Sequence, residues 1–429
     1  MNKTITKTTD FSKYIQDDAS HMQEYQKYQE KLYTNEAIVP VFDDQKEQTT
    51  LDQTISKCIE TALNSDDDKK LAEHLEELFE YQNVIYKDTQ IASHLRSRSY
   101  ITPHGLAVSP DHCIHTIKDK LRMKGFIRGV DAALKDLRRS FSSEPLHIVY
   151  PACGPFAPLL LPIIAYYNNE KKYASNELQI TLIDIQAGAI LSLRSLVQEL
   201  GIQEYIKDIL HINATDYVPV KGEAIHMLIL ESMQHGFSKE GHMAMARHFA
   251  PLLEDDGIFL PKNVSVRAYL TVPQDEYVEQ WRDKSKEVRA SSMDESFNQM
   301  RTDLGEVLSI TKENILNLKE IPSNKPDVKL LVCKTLKIPE PKGEREKQML
   351  IIHTHLDVYD DTHIGEYDSG ITQPMADFKV CINFIPADKR DDDIYLNSGD
   401  LITFYYRLDG MPGFLPHKRE SVEDNHGVA

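Results

Sequence analysis

Four short runs rich in β-branched and aliphatic residues, LHIVY (146–150), LQITLIDI (178–185), ILHIN (209–213) and IHMLIL (225–230), alternate with stretches of helical spacing, notably AGAILSLRSLVQELG and EGHMAMARHFAPLL. Strands that alternate with helices need crossover connections, and these restrict the region to a parallel sheet with helices packed on its faces. The fold class is therefore α/β, with a Rossmann-like domain over residues 96–265.

The flanks have a different texture. Residues 1–95 read as polar helices, and in DDDKKLAEHLEELFEYQNVIY the side chains of Leu71, Leu75, Leu78 and Phe79 form one apolar stripe, with Asp66 to Asp68 suited to capping its start. After residue 266 the runs VKLLVCKTLKI, QMLIIHTHLDVY, DFKVCINFI and DLITFYYRL are separated by turn-rich segments such as PEPKGE and NSGD. That pattern predicts an antiparallel, β-barrel-like domain over 266–429, interrupted by a charged helical insertion near 275–320. The tail SVEDNHGVA reads as frayed.

Composition closes off several classes of function. The 429 residues carry a formal net charge of -18 and no basic stripe, which argues against a nucleic-acid partner. No run approaches the roughly 18 to 20 apolar residues of a membrane span, and the polar start MNKTITKTTDFSKYIQDD lacks the apolar core of a secretory signal. Cys58, Cys113, Cys153, Cys333 and Cys381 are odd in number and scattered, a pattern that suits a reducing, cytoplasmic setting and gives neither a disulfide framework nor a CxxC metal site.

Nucleotide-like ligands on open parallel sheets bind at the carboxyl ends of the strands. The first strand runs into PACGPFAPL, where Ala152, Cys153 and Gly154 are small enough for close approach and Pro155 stiffens the turn. One glycine stands where a dinucleotide loop has three, so no pyrophosphate cradle is visible. About thirty residues on, Asp184 ends the second strand beside Ile185, where a carboxylate can accept from both ribose hydroxyls. Its competing assignment is a cap for the helix that starts near Ala187. Asn213, Ala214 and Thr215 end the third strand and could flank an adenine ring. Together these features favour S-adenosyl-L-methionine over a dinucleotide as cofactor.

Several segments resemble, in order, the protein arginine methyltransferase family, a group within the class I S-adenosylmethionine-dependent methyltransferases. YITPHGLAVSPDHCIHTIKDKLR resembles the family segment that ends in a Lys-Asp-x-x-Arg run, and the resemblance implies that Arg122 holds the cofactor's methionine carboxylate. LILESMQHGFSKEGHM resembles the loop with two glutamates nine positions apart, here Glu231 and Glu240, with Met233 in register. On that match the two carboxylates clasp the substrate guanidinium, orient one nitrogen toward the methyl group, and place Glu231 at the edge of the cofactor. Their competing assignment is a cap and an exposed face for the next helix. FAPLLEDDGIFLPKNVSV resembles the family's exit from the cofactor domain, and the insertion near 275–320 falls where the family carries a dimerisation arm, which implies a homodimer.

Three departures stand against this likeness. The first loop is PACGPFAPL rather than Gly-rich; Ser232 and Gln234 replace a tryptophan and a glycine; and SGITQPMADFKV, with Ala376 and Asp377, has no His-Trp pair, the only tryptophan being Trp281 in the insertion. They point to a divergent member that acts on arginine, another cationic small molecule, or a peptide. Two alternatives remain. One is an O-methyltransferase with His235 as base. The other is a non-catalytic scaffold that has kept the fold. His353, His355 and Asp357 share one face of a strand, but no further ligands follow in a recognisable order, and a polar strand face explains them without a metal.

Overall fold

The computed structural model describes residues 50–142, 144–282, 295–323, 328–340, 342 and 348–419. Residues 1–49 of the expected N-terminal helical region, 283–294 of the charged insertion and the tail at 420–429 lie outside the described residues.

Two helices lead in, α1 (Leu51–Asn64) and α2 (Asp68–Asp88). Thr50 and Gln53 form a capping box at the first, and Asp67 accepts from Lys70 N–H at 3.0 Å at the second, so each helix start has a side-chain cap. The stripe Leu71, Leu75, Leu78 and Phe79 is buried as expected. Phe79 and Tyr86 meet the ring of Phe156 at 6.5 and 5.9 Å, so this layer backs the turn that follows the first parallel strand.

A short antiparallel hairpin, β1 (Tyr100–Thr102) and β2 (Gly105–Ala107), precedes the long helix α3 (Lys120–Ser140). The Rossmann-like sheet then forms from β3 (Leu146–Pro151), β4 (Leu178–Asp184), β5 (Ile206–His211), β6 (Ile225–Ile229) and β7 (Leu253–Leu260), all parallel, in the order β5-β4-β3-β6-β7. The crossover helices are α4 (Leu161–Asn169), α5 (Ala187–Glu199) and α6 (His242–Phe249); between β5 and β6 there is only a turn of 3-10 helix, Ala214–Asp216. Every residue of β3 and β6 is buried, the reason their sequences read as unbroken apolar runs. The chain starts at the sheet's middle, moves out to β5, and returns to β6 beside β3. The carboxyl ends of β3 and β6 therefore flank a topological switch point, where such sheets take ligands.

The C-terminal half is antiparallel apart from one pair. Strands β8 (Asn263–Thr271), β9 (Thr302–Ile310), β12 (Met349–Tyr359), β14 (Met375–Ile382) and β15 (Ile394–Leu396) form one sheet in the order β15-β14-β12-β8-β9, with β13 (Thr362–Ile364) paired to β12; β14 and β15 run parallel. A second sheet holds β10 (Glu320–Pro322), β11 (Lys329–Lys337), β16 (Leu401–Arg407) and β17 (Gly413–Arg419).

The insertion corrects the sequence reading. Its described helical parts are Pro273–Tyr277, Glu295–Met300 and single turns at Glu279–Trp281 and Ile315–Asn317, and residues 302–310 form β9, paired along β8. The two ends are pinned together by Arg301, a buried guanidinium that bonds the buried carboxylate of Glu276 and reaches Glu366 at 2.8 Å. Trp281 packs here too, its indole N–H on Glu276 O at 3.0 Å.

Helix α3 joins the two halves. A Cβ on Gly125 would lie 2.9 Å from Ile364 Cγ1, and one on Gly129 would lie 2.6 Å from Val358 Cγ1. The missing side chains let β12 and β13 seat directly on the helix that begins at the site. We expect Leu78→Ala to lower stability by about 2–5 kcal/mol within one urea transition, because α2 packs into the common core. Separate loss of helicity ahead of an unshifted main transition would show instead that the N-terminal layer unfolds on its own.

Candidate functional site

A cleft of about 660 Å³, open mouth included, lies at the carboxyl ends of β3, β4 and β5. Its floor is the turn after β3. Ala152 sits at φ 50° and Gly154 at φ 67°, two left-handed residues that reverse the chain sharply, and the Gly154 N–H reaches Asp184 Oδ2 at 2.9 Å. The other oxygen, Oδ1, accepts from Gln186 N–H at 2.7 Å. Each Asp184 oxygen thus retains an acceptor site. Burial pushes this carboxyl up to about 6, the backbone N–H groups of Gln186, Gly154 and Ile185 and the charge of His211 pulling the other way.

Ile185, Asn213, Ala214 and Thr215 line the same cleft, and Asn213 Oδ1 holds the last turn by accepting from Thr215 N–H at 3.2 Å and Oγ at 3.0 Å. Cys153 and Pro155 do not line it. They shape the turn from behind, Cys153 N–H bonding Ile183 O at 3.3 Å and Pro155 O accepting from Ser192 Oγ at 2.8 Å.

At the far end, the loop after β6 brings Glu240 and Ser232 to the cleft wall. Glu231 is buried just behind, its Oε2 3.4 Å from an Arg122 guanidinium nitrogen. Arg122, in the first turn of α3, is committed to protein partners. Asp119 Oδ2 accepts from its Nε at 3.1 Å and a terminal nitrogen at 2.8 Å, and Ser369 Oγ lies 3.3 Å from Nε. Arg122 itself is not among the residues that line the cleft.

Asp119 also accepts from Ser369 Oγ at 2.6 Å and Gly370 N–H at 3.2 Å, and Met375 packs on Gly236 of the loop after β6. The segment SGITQPM therefore reaches the site without a His-Trp pair.

Electrostatics couple these groups. Burial raises Glu231 to about 7 against the pull of Arg122, and burial together with repulsion from Glu231 raises Glu240 to about 8, a Gln234 hydrogen bond opposing. Three carboxylates, Glu231, Glu240 and Asp119, meet two cations, Arg122, which faces all three, and Lys239, which faces Glu240. The wall is one cation short. His235 does not line the cleft, and burial beside Lys239 lowers it to about 4, which makes it a weak base. Of the strand histidines, His353 stacks on Tyr269 and His355 bonds Asp357 at 3.1 Å; among the described residues no three such side chains are grouped to hold a metal ion.

The sequence reading missed the roof. Thr102, His104, Gly105 and Leu106 of the β1–β2 hairpin line the cleft opposite its floor. Leu106 N–H donates to Lys239 O at 2.7 Å, Lys239 N–H donates to Pro412 O at 2.8 Å, and Gly410 N–H donates to Pro103 O at 2.7 Å. Gln186 Nε2 holds the stem through Arg98 O at 3.0 Å and Val108 O at 3.1 Å. A glutamine two places after the strand-ending Asp184 was the one sequence signal available for this.

No protein-family model matches this sequence, and no curated protein matches it. Among solved structures, the Trypanosoma brucei PRMT1 enzyme-prozyme heterotetrameric complex with AdoHcy is similar at 11% identity and a TM-score of 0.38, over 73% of this chain and 94% of that one. So distant a likeness bears on neither activity nor assembly. Among the described residues no helix is long and apolar enough to cross a membrane.

The raised carboxylates set a sign for pH dependence. Glu240, ordinarily near 4.5, keeps its proton in the folded protein up to about 8, so the folded state binds more protons than the unfolded chain across that window. The stability this contributes is complete below about pH 4.5 and is lost as pH rises toward 8. Scanning calorimetry should show Tm falling from pH 5 to 8, with the slope reduced in Glu240→Gln. Parallel slopes in the two proteins would remove Glu240 from the account.

Proposed function

We propose that this chain is an S-adenosylmethionine-dependent methyltransferase that N-methylates a cationic nitrogen, with a guanidinium as the best-fitting acceptor. The observation that carries the reading is that Asp184, a buried carboxylate with an acceptor site left on each oxygen, shares one cleft with Glu240, a buried carboxylate short of counter-charge.

The residues suit the cofactor. Asp184 would take the ribose hydroxyls, the turn at Ala152 and Gly154 leaves room for close backbone approach, and Asn213 to Thr215 would border the adenine. A single glycine turn without a second or third glycine offers no pyrophosphate cradle, which favours a mononucleoside cofactor. Bound there, the sulfonium supplies an already activated methyl donor, which leaves the protein mainly to position and desolvate.

Glu240 and Glu231 do the positioning. An arriving cation completes the charge of the wall, displacing the proton that Glu240 otherwise holds near neutral pH. Once ionised, Glu240, with Glu231 buried behind it, accepts the forked N–H donors of a guanidinium and fixes which nitrogen faces the donor. Arg122 limits the mutual repulsion of the two glutamates while Asp119 and Ser369 hold it in place. A homodimer is part of this proposal only as the expectation drawn from the insertion. The hydroxyl-acceptor alternative loses ground because His235 is a weak base outside the cleft wall.

Two measurements test the reading. Calorimetry with S-adenosylmethionine and S-adenosylhomocysteine should give binding to the wild type, weakened about 10- to 100-fold in Asp184→Asn, the range expected for lost charge-assisted hydrogen bonds. No heat with either compound at high micromolar concentration would sink the enzyme reading and favour the scaffold. With radiolabelled cofactor and L-arginine or an arginine peptide, Glu240→Gln should lose roughly 100-fold or more in kcat/KM while still binding cofactor. Retained activity would send the acceptor assignment elsewhere.

A further inference from the structure

Resting on the methyltransferase reading, the structure points further, to the size of the acceptor. We propose that the acceptor is a small free molecule, a guanidine or amine of amino-acid size with a second hydrogen-bonding group, rather than an arginine inside a polypeptide, and that Ser232 Oγ binds that second group.

The first observation is the closure over Glu240. A polypeptide substrate must run past its buried side chain, and a loop backbone with free N–H and C=O groups is the usual rail for it. Here that rail is spent. Lys239 O takes Leu106 N–H and Lys239 N–H goes to Pro412 O, so both backbone groups of the residue before Glu240 are occupied by other parts of the chain. Gly105 lies directly on the loop: a Cβ there would sit 2.6 Å from Gly241 N, 2.7 Å from the Glu240 carbonyl carbon and 2.9 Å from Lys239 O. Not even a methyl group fits between roof and loop, and still less an extended chain.

The second observation is independent. Ser232 is 4% exposed, lines the cleft beside Glu240, and its hydroxyl has no hydrogen-bond partner among the described residues. A buried hydroxyl left unbonded is costly, and a ligand group that bonds it recovers the loss. Beside it, Gln234 holds Glu240 through a hydrogen bond. The wall that meets the acceptor thus offers a carboxylate and a spare hydroxyl within one confined space. That combination recognises a polar, cationic small molecule better than the alkyl stem of a side chain entering from outside.

The test compares acceptors at fixed radiolabelled S-adenosylmethionine: free L-arginine, agmatine, and the blocked pentapeptide acetyl-Gly-Gly-Arg-Gly-Gly-amide. The expected result is methylation of one or both small guanidines at a kcat/KM at least 100-fold above the peptide. Peptide methylation equal to or above the small molecules would overturn the size inference and leave the methyltransferase reading intact. No transfer to any of the three, with cofactor binding retained, would overturn the guanidine acceptor and this inference together. Ser232→Ala should raise KM for the preferred small acceptor about tenfold with kcat within about twofold and Tm not lowered. Unchanged KM with a higher Tm would show the hydroxyl to be a structural orphan and overturn its role.

Discussion

Two carboxyl groups buried side by side need a proton or a cation to offset them, and the architecture around the site follows from that requirement. Glu231 and Glu240 lie on one loop after β6, and the sheet fixes where that loop emerges. The offsetting guanidinium, Arg122, comes from the first turn of α3, held by Asp119 one turn back. Asp119 in turn collects Ser369 and Gly370 from the β-domain. A single charge problem thus links the switch point of the parallel sheet, the long helix and the C-terminal sheets. Removing one partner from such a set leaves another charge buried and unpaired, and this penalty holds the three parts in register.

The glycine face of α3 makes that convergence possible. Were Gly125 and Gly129 larger, β12 and β13 would stand off the helix, and the segment that delivers Ser369 would stand off with them. The ion pair of Arg301 with Glu276 does the same on the opposite side, closing the insertion so that β9 can pair along β8. Neither contact touches the cleft, yet both determine what reaches it.

The parallel sheet was legible because β3, β4 and β6 are buried on both faces, and burial on both faces leaves an unbroken apolar run that composition alone reveals. Asp184 was legible for a related reason: a charged residue that ends such a run stands out. Strand β9 was not. TDLGEVLSI carries Asp303, Gly305 and Glu306, and its two register shifts against β8 break the period-2 alternation, so inside a charged region the run reads as helix. The roof hairpin was hidden more deeply. Its strands are three residues each, Tyr100 and Ile101 are exposed, and the groups that give it a place lie at residues 185, 186, 239 and 410. Arg122 shows the remaining limit. The sequence marked it as important, but only the positions of Asp119, Glu231 and Ser369 show that its charge is already spoken for.

Lys239 binds the hairpin through its carbonyl and the β16–β17 turn through its amide, while that turn also binds the hairpin at Pro103. Three segments distant in sequence are thereby closed into one ring of backbone hydrogen bonds. A ring of this kind has no half-open state of low cost, since freeing any one segment leaves the other two still bonded across the gap. Parting of the hairpin from that loop is then a cooperative local opening rather than an independent fluctuation of one segment. Its rate should carry the steep temperature dependence of partial unfolding, whatever the speed of the chemistry beneath it.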